Sequence, residues 1–200
     1  MIDLNNEEKT IIEPGAKIIV ASDIHGSAYY CKKLTDRYAA EGASRLVLLG
    51  DLLYHGPRNA LPQDYDCPTV IDMLNGLKDS IISVRGNCDS EVDQMVLDFP
   101  IMASFAVFEY NGITFFATHG HFYGISFPPK FEKKYIMLAG HTHIPECLDC
   151  GKYVYCNPGS VSIPKGDSER GYILIDGDSI IWKTLDGEPF HSVGFSKMNI

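Results

Sequence analysis

Five short segments carry residue types that bind metal ions: "SDIHG" (Ser22 to Gly26), "GD" (Gly50-Asp51), "RGNCD" (Arg85 to Asp89), "THGH" (Thr118 to His121) and "GHTH" (Gly140 to His143). Six of the seven histidines lie in or just beyond them, together with Asp23, Asp51 and Asn87. Such a mixed nitrogen and oxygen set suits divalent transition ions better than calcium or a thiolate zinc site. Asp23 and His25 are two residues apart, so along extended chain both side chains leave on one side and can grip one ion. The glycines beside these residues let the chain turn sharply and leave room for a substrate. A single histidine at a strand end is ordinarily a hydrogen-bonded structural residue, and "GD" alone carries almost no information. Five such segments in order, each after an apolar run, predict a dinuclear metal site.

The elements that must position these segments follow from the hydrophobic pattern. "KIIVAS" (17–22), "RLVLLGD" (45–51) and "SIISVRGN" (80–87) are short buried-strand runs. They alternate with helical stretches in "AYYCKKLTDRYAAEGA", "PTVIDMLNGLKD" and "SEVDQMVLD". That alternation predicts parallel βαβ units in the first half. The second half reads as antiparallel strands, with tight turns at Asn111-Gly112 and Asp176-Gly177. The expected fold is α/β, with two mixed sheets packed together. In open α/β sheets ligands collect at the carboxyl ends of the strands, where all five segments fall.

Composition narrows the function. The chain has 200 residues, 45% hydrophobic and 22% charged, an ordinary mixture for one core. Residues 17–200 are expected to form a single domain after a polar leader over 1–16. The net charge of -9 comes without any basic cluster, which disfavours long nucleic acid as a partner. The acidic start lacks the apolar core of a signal peptide, and no apolar run approaches the roughly 20 residues of a membrane span. A cytoplasmic protein with no membrane partner is the expectation. The six cysteines are scattered, which argues against a disulfide scaffold, and the Cys147/Cys150 C-x-x-C pair has no second Cys/His pair to complete a zinc site.

The order D-x-H, GD, GN, H, GHTH from Asp23 to His143 resembles the signature of calcineurin-like metallophosphoesterases. The "SDIHG", "GD-x-x-x-H-G-P-R-N", "RGNCD" and "NPGSVS" segments are similar to the small bacterial and archaeal phosphodiesterase branch. The resemblance implies a four-layer α/β/β/α sandwich. It implies one metal held by Asp23, His25 and His143, a second held by Asn87, His119 and His141, and Asp51 bridging both. Mn²⁺ is the favoured ion, with Fe, Zn, Ni and Co accepted.

Two divalent ions against two ligand aspartates leave a positive cleft in an acidic protein, suited to a phosphate. The expected reaction is hydrolysis of a small phosphodiester by in-line attack of a hydroxide bridging the two ions, with no covalent enzyme intermediate. Phosphomonoesters or phosphoproteins are the alternative substrates. A non-catalytic platform of the same fold, as in a retromer subunit, is the other alternative, set against the filling of all seven ligand positions. His55, His121 and Cys88 are candidates for substrate contact or support. Many relatives carry a histidine at the position of Cys88, so Cys88 reads as a small residue in a general acid's place. Arg85 is assigned a structural role, and His191 reads as a surface residue. A homo-oligomer is compatible with the apolar residues in the loops.

Overall fold

The computed structural model describes residues 10–198 and residue 200. The strands are β1 (Thr10–Ile12), β2 (Ile18–Ala21), β3 (Arg45–Leu48), β4 (Ile81–Ser83), β5 (Phe105–Tyr110) and β6 (Ile113–Thr118). They continue with β7 (Tyr135–Leu138), β8 (Pro145–Asp149), β9 (Tyr153–Pro158), β10 (Gly171–Asp176), β11 (Ser179–Thr184) and β12 (Pro189–Gly194). The helices are α1 (Ala28–Glu41), α2 (Cys67–Asn75) and the single turn α3 (Glu91–Gln94).

Two six-stranded mixed sheets result, ordered β1-β5-β6-β7-β9-β8 and β12-β11-β10-β2-β3-β4. The parallel β2-β3-β4 unit agrees with the strand and helix alternation. The second half is not purely antiparallel, however: β6-β7-β9 pair in parallel, and β10 crosses over to join β2 in the other sheet. Each of these strands is buried on both faces, so its apolar run does not reveal strand direction. Thr10–Ile12, within the stretch read as a leader, pair with β5, and Ala16 packs against the core; residues 1–9 of that stretch lie outside the described residues.

The alternation along β2 divides the core. Ile18 and Val20 face the space between the sheets with Phe108, Phe115, Ile136 and Trp182. Ile19 and Ala21 face outward, under Cys31 and Leu34 of α1 and Val70 and Leu74 of α2. On the far face of the other sheet, Phe116, Met137 and Tyr155 are covered by Tyr123 and Phe131 of a long loop. Ser27 caps α1 by accepting from the Tyr30 N–H, and Gly42 at φ 66 ends it. A capping box between Ser90 and Asp93 fixes α3 directly after "RGNCD". Asn111 and Gly112, at φ 50 and 74, make the β5-β6 hairpin turn.

Candidate metal centre

The loops after β2 and β3 are joined through their backbones. Asp23 N–H donates to Gly50 O at 3.1 Å, His25 N–H to Asp51 O at 3.0 Å and Gly26 N–H to Leu52 O at 2.9 Å. Asp89, in the loop after β4, fastens a third segment to these two. Its carboxylate accepts from the backbone N–H groups of Asp51, Leu52 and Gly86 at 2.8, 2.9 and 2.7 Å. Glycine makes this approach possible, since a Cβ on Gly86 would lie 2.1 Å from Asp51 Oδ1. The other sheet contributes the loops after β6 and β7. Gly140 N–H donates to His119 O at 2.8 Å, and His141 N–H donates to Asp23 Oδ2 at 3.1 Å. The "NPGSVS" segment braces the whole: the Ser160 and Ser162 hydroxyls donate to Asp23 O, and the Asn157 amide donates to Gly140 O and Thr142 Oγ1.

Three imidazoles share one orientation. Nδ1 of His25, His119 and His143 meets the backbone carbonyls of Tyr54, Leu49 and Ile163 at 2.7, 2.7 and 2.5 Å. A carbonyl can only accept, so Nδ1 carries a proton in each ring and Nε2 is the atom turned toward the cluster. Those Nε2 atoms converge on carboxylate and amide oxygens. Asp23 Oδ1 lies 3.5 Å from His25 Nε2 and 3.3 Å from His143 Nε2. Asp51 Oδ2 lies 3.7 Å from His25 Nε2 and 3.5 Å from His119 Nε2. His119 Nε2 also lies 3.0 Å from Asn87 Oδ1 and 3.2 Å from His141 Nδ1.

Asp23 Oδ1 is fully buried, with the His143 and His25 Nε2 atoms as its polar neighbours, and despite burial those imidazoles hold its carboxyl well below the ordinary value. A buried carboxylate oxygen is unfavourable unless positive charge lies beside it, carried by the imidazoles or by a bound cation. The residues therefore fit a divalent ion, and they fall into two groups. Asp23, His25 and His143 form one, Asn87, His119 and His141 the other, and Asp51 touches both.

A cavity of about 250 Å³ opens on this cluster, lined by His25, Asp51, Asn87, Cys88, His141 and His143. Arg58 and Lys165 add two cations to its wall. The sequence reading gave neither of them a role, although each directly follows a proline in a loop beside a motif. It also passed over Asp89, Asn157, Ser160 and Ser162, each of which makes contacts across the fold.

Cys88 is at the cavity, where its N–H donates to Asp51 Oδ1 at 2.7 Å. Burial, with Asp51 adding to it, pushes its thiol up to about 12. His55 and His121 are not in the lining. His55 packs edge-on against Tyr54 and Tyr65. His121 lies behind the second ligand group, its ring 5.3 Å from that of His119, and lines a neighbouring cavity with Phe122. Burial and the His119 and His141 imidazoles pull His121 down to about 4. Arg85 donates to Asp89 O and pairs with Glu91.

Two mixed sheets meeting at a cleft of buried imidazoles and carboxylates define a metal-dependent hydrolase. The chain belongs to the calcineurin-like phosphoesterase superfamily, whose domain matches residues 16–179. It is 45% identical over 162 residues to phosphodiesterase YfcE of Escherichia coli K12, covering 81% of this chain and 88% of that protein. The solved E. coli YfcE structure superposes with a TM-score of 0.86, covering 89% of this chain and 98% of that one. A phosphoesterase-like protein of Streptococcus pneumoniae TIGR4, 25% identical, gives a TM-score of 0.59 over 90% of this chain and 97% of its own. Vacuolar Protein Sorting 29 from Cryptosporidium parvum, 14% identical, shares the fold at a TM-score of 0.56, covering 84% and 90%. No helix among the described residues is long and apolar enough to cross a membrane.

Proposed function

We propose that this metallophosphoesterase hydrolyses small phosphodiesters in the cavity at the joined sheet edges. Two divalent ions, with Mn²⁺ favoured, would be held by Asp23, His25, Asp51 and His143 and by Asp51, Asn87, His119 and His141. The observation that carries this reading is the convergence of imidazole Nε2 atoms on the buried carboxylates of Asp23 and Asp51. The similarity to a protein named a phosphodiesterase supports the diester class.

Bound ions supply an activated water at neutral pH and neutralise phosphoryl charge. The chain's own residues do the rest. His25, His119 and His143 keep one tautomer because their Nδ1 protons are committed to carbonyls. Arg58 and Lys165 provide fixed positive charge that draws an anion into an acidic protein. A cavity of about 250 Å³ has room for one phosphate with short substituents.

Cys88 lines the cavity, and a thiol is a poorer proton donor to a departing alkoxide than an imidazolium. Phenolate-type leaving groups, which depart without a proton, are therefore preferred. His121 is neutral at pH 7 and braces His119 and His141.

The test is a panel of phosphomonoesters and diesters offered to chelated enzyme with each candidate ion in turn. Aryl diester cleavage restored by Mn²⁺ is expected. Full activity after exhaustive chelation removes the metal reading, and preference for monoesters or phosphopeptides removes the diester reading.

A further inference from the structure

The C-x-x-C spacing of Cys147 and Cys150 suggests a redox pair, but the fold separates the two thiols. Cys147, on β8, packs against the core between the sheets, whereas Cys150, just past the end of β8, packs against the cluster on the sheet's other face. Cys147 has a different partner. In the antiparallel β8-β9 ladder it lies directly opposite Cys156. Residues so paired have Cα atoms about 4.5–5.5 Å apart, within the span a disulfide accepts.

The surroundings of the two thiols differ. Cys156 is fully buried. Cys147 is half-buried and lines a cavity of about 280 Å³ with Pro145, Glu146, Trp182, Phe190 and His191. The His191 ring, on β12, lies tilted 5.0 Å from that of Trp182 on β11 and adjoins the Cys147 sulfur. Hydrogen bonding by the Cys156 thiol pulls Cys147 down to about 6, against burial and with help from the His191 imidazole; Asp149 opposes. Burial and the Cys147 sulfur push Cys156 well up. The ladder thus sets a half-buried thiol with a lowered pKa beside a fully buried one with a raised pKa.

We propose that Cys147 and Cys156 form a hydroperoxide-responsive thiol pair, with Cys147 attacking and Cys156 resolving. The Cys147 thiolate attacks one peroxide oxygen: the S–O bond forms, the O–O bond breaks, and hydroxide leaves. The Cys156 sulfur then attacks the Cys147 sulfenic acid: the S–S bond forms, the S–O bond breaks, and the thiol proton joins the departing hydroxide as water. Two electrons pass from the sulfurs to the peroxide. The pair is independent of phosphoester hydrolysis.

The experiment uses the whole, reduced chain treated with equimolar hydrogen peroxide, then alkylated, digested and analysed by mass spectrometry. Loss of 2 Da and a Cys147–Cys156 linked peptide are expected. In Cys156→Ser, oxidation halts at a dimedone-trappable sulfenic acid on Cys147. On the untreated chain at pH 7, iodoacetamide should label Cys147 at least about tenfold faster than Cys67, and His191→Phe should narrow that gap. A Cys147–Cys150 link, or equal labelling of Cys147 and Cys67 in the unmutated chain, overturns the proposal.

Discussion

Cys88 and Cys147 stand at two cavities of similar volume, and their thiols are driven in opposite directions. Around Cys88 the charged groups that raise its thiol are carboxylates: Asp51 accepts its backbone N–H, and Asp89 and Asp23 stand close by. Around Cys147 the neighbours are a thiol and an imidazole, both of which favour the thiolate. Neither outcome follows from the adjoining sequence, since Cys147 also has acidic residues nearby, Glu146 and Asp149. What separates them is the group that the fold brings from another strand. The carboxylates around Cys88 disfavour its thiolate, while the thiol and imidazole around Cys147 favour one.

The sharpest way to break this contrast is to remove a residue proposed for the metals. Asp51→Asn should lower kcat/KM on an aryl phosphodiester by at least about 10³-fold, roughly 4 kcal/mol of transition-state stabilisation. Cys147→Ser should leave that constant unchanged, and a comparable loss in both would merge the two cavities into one function. Next in size is the thermal shift on chelation. With an ion at a hundred times its Kd the folded state gains about 2.7 kcal/mol, so the chelated protein should melt lower and recover with Mn²⁺ in calorimetry.

Cys88→His places an imidazole where the thiol is held protonated. Hydrolysis of alkyl diesters should rise by about tenfold or more while aryl diesters change little, and an unchanged alkyl rate and pH profile would show that the thiol's position has no catalytic meaning. The smallest effect belongs to a carboxylate remote from both cavities. Burial pushes Glu41 up, but hydrogen bonds from Lys183 and Tyr172 outweigh it and leave it below its ordinary value. Its contribution is therefore complete above about pH 4.5 and fades as pH falls through the lower folded value. Glu41→Gln should remove about 1 kcal/mol at pH 7 in denaturant titration, and progressively less in acid.

Much of this architecture was legible in the chain. The apolar runs of β2, β3, β5, β6 and β10 announce themselves, and the ligand-type residues stand at strand ends where such sites form. Three strands gave no signal. β1, β8 and β12 lie at sheet edges; β8 and β12 begin with prolines and β12 is largely exposed, so none has the alternation that marks a strand. The seven residues expected to gather do gather, because hydrogen bonds between their loops tie them to one another across the two sheets. Arg58, Lys165 and Asp89 were not assigned because their roles depend on which loops become neighbours. His191 illustrates the same limit: as sequence it is a surface histidine, and only the β11-β12 pairing sets it beside Trp182 and Cys147.

Asp23, His25, Asp51, His141 and His143 all have positive φ, between 50 and 68°. For residues with a side chain, left-handed backbone costs roughly 1 kcal/mol or more each. Five together approach the lower end of a typical domain's net stability of about 5 kcal/mol. Glycine would relax each of these positions, and each replacement would delete a donor. Selection for a durable chain and selection for turnover therefore pull in opposite directions at the same five codons. A stabilised variant of this enzyme obtained by relaxing those loops would be expected to be a well-folded protein with nothing to hold its ions.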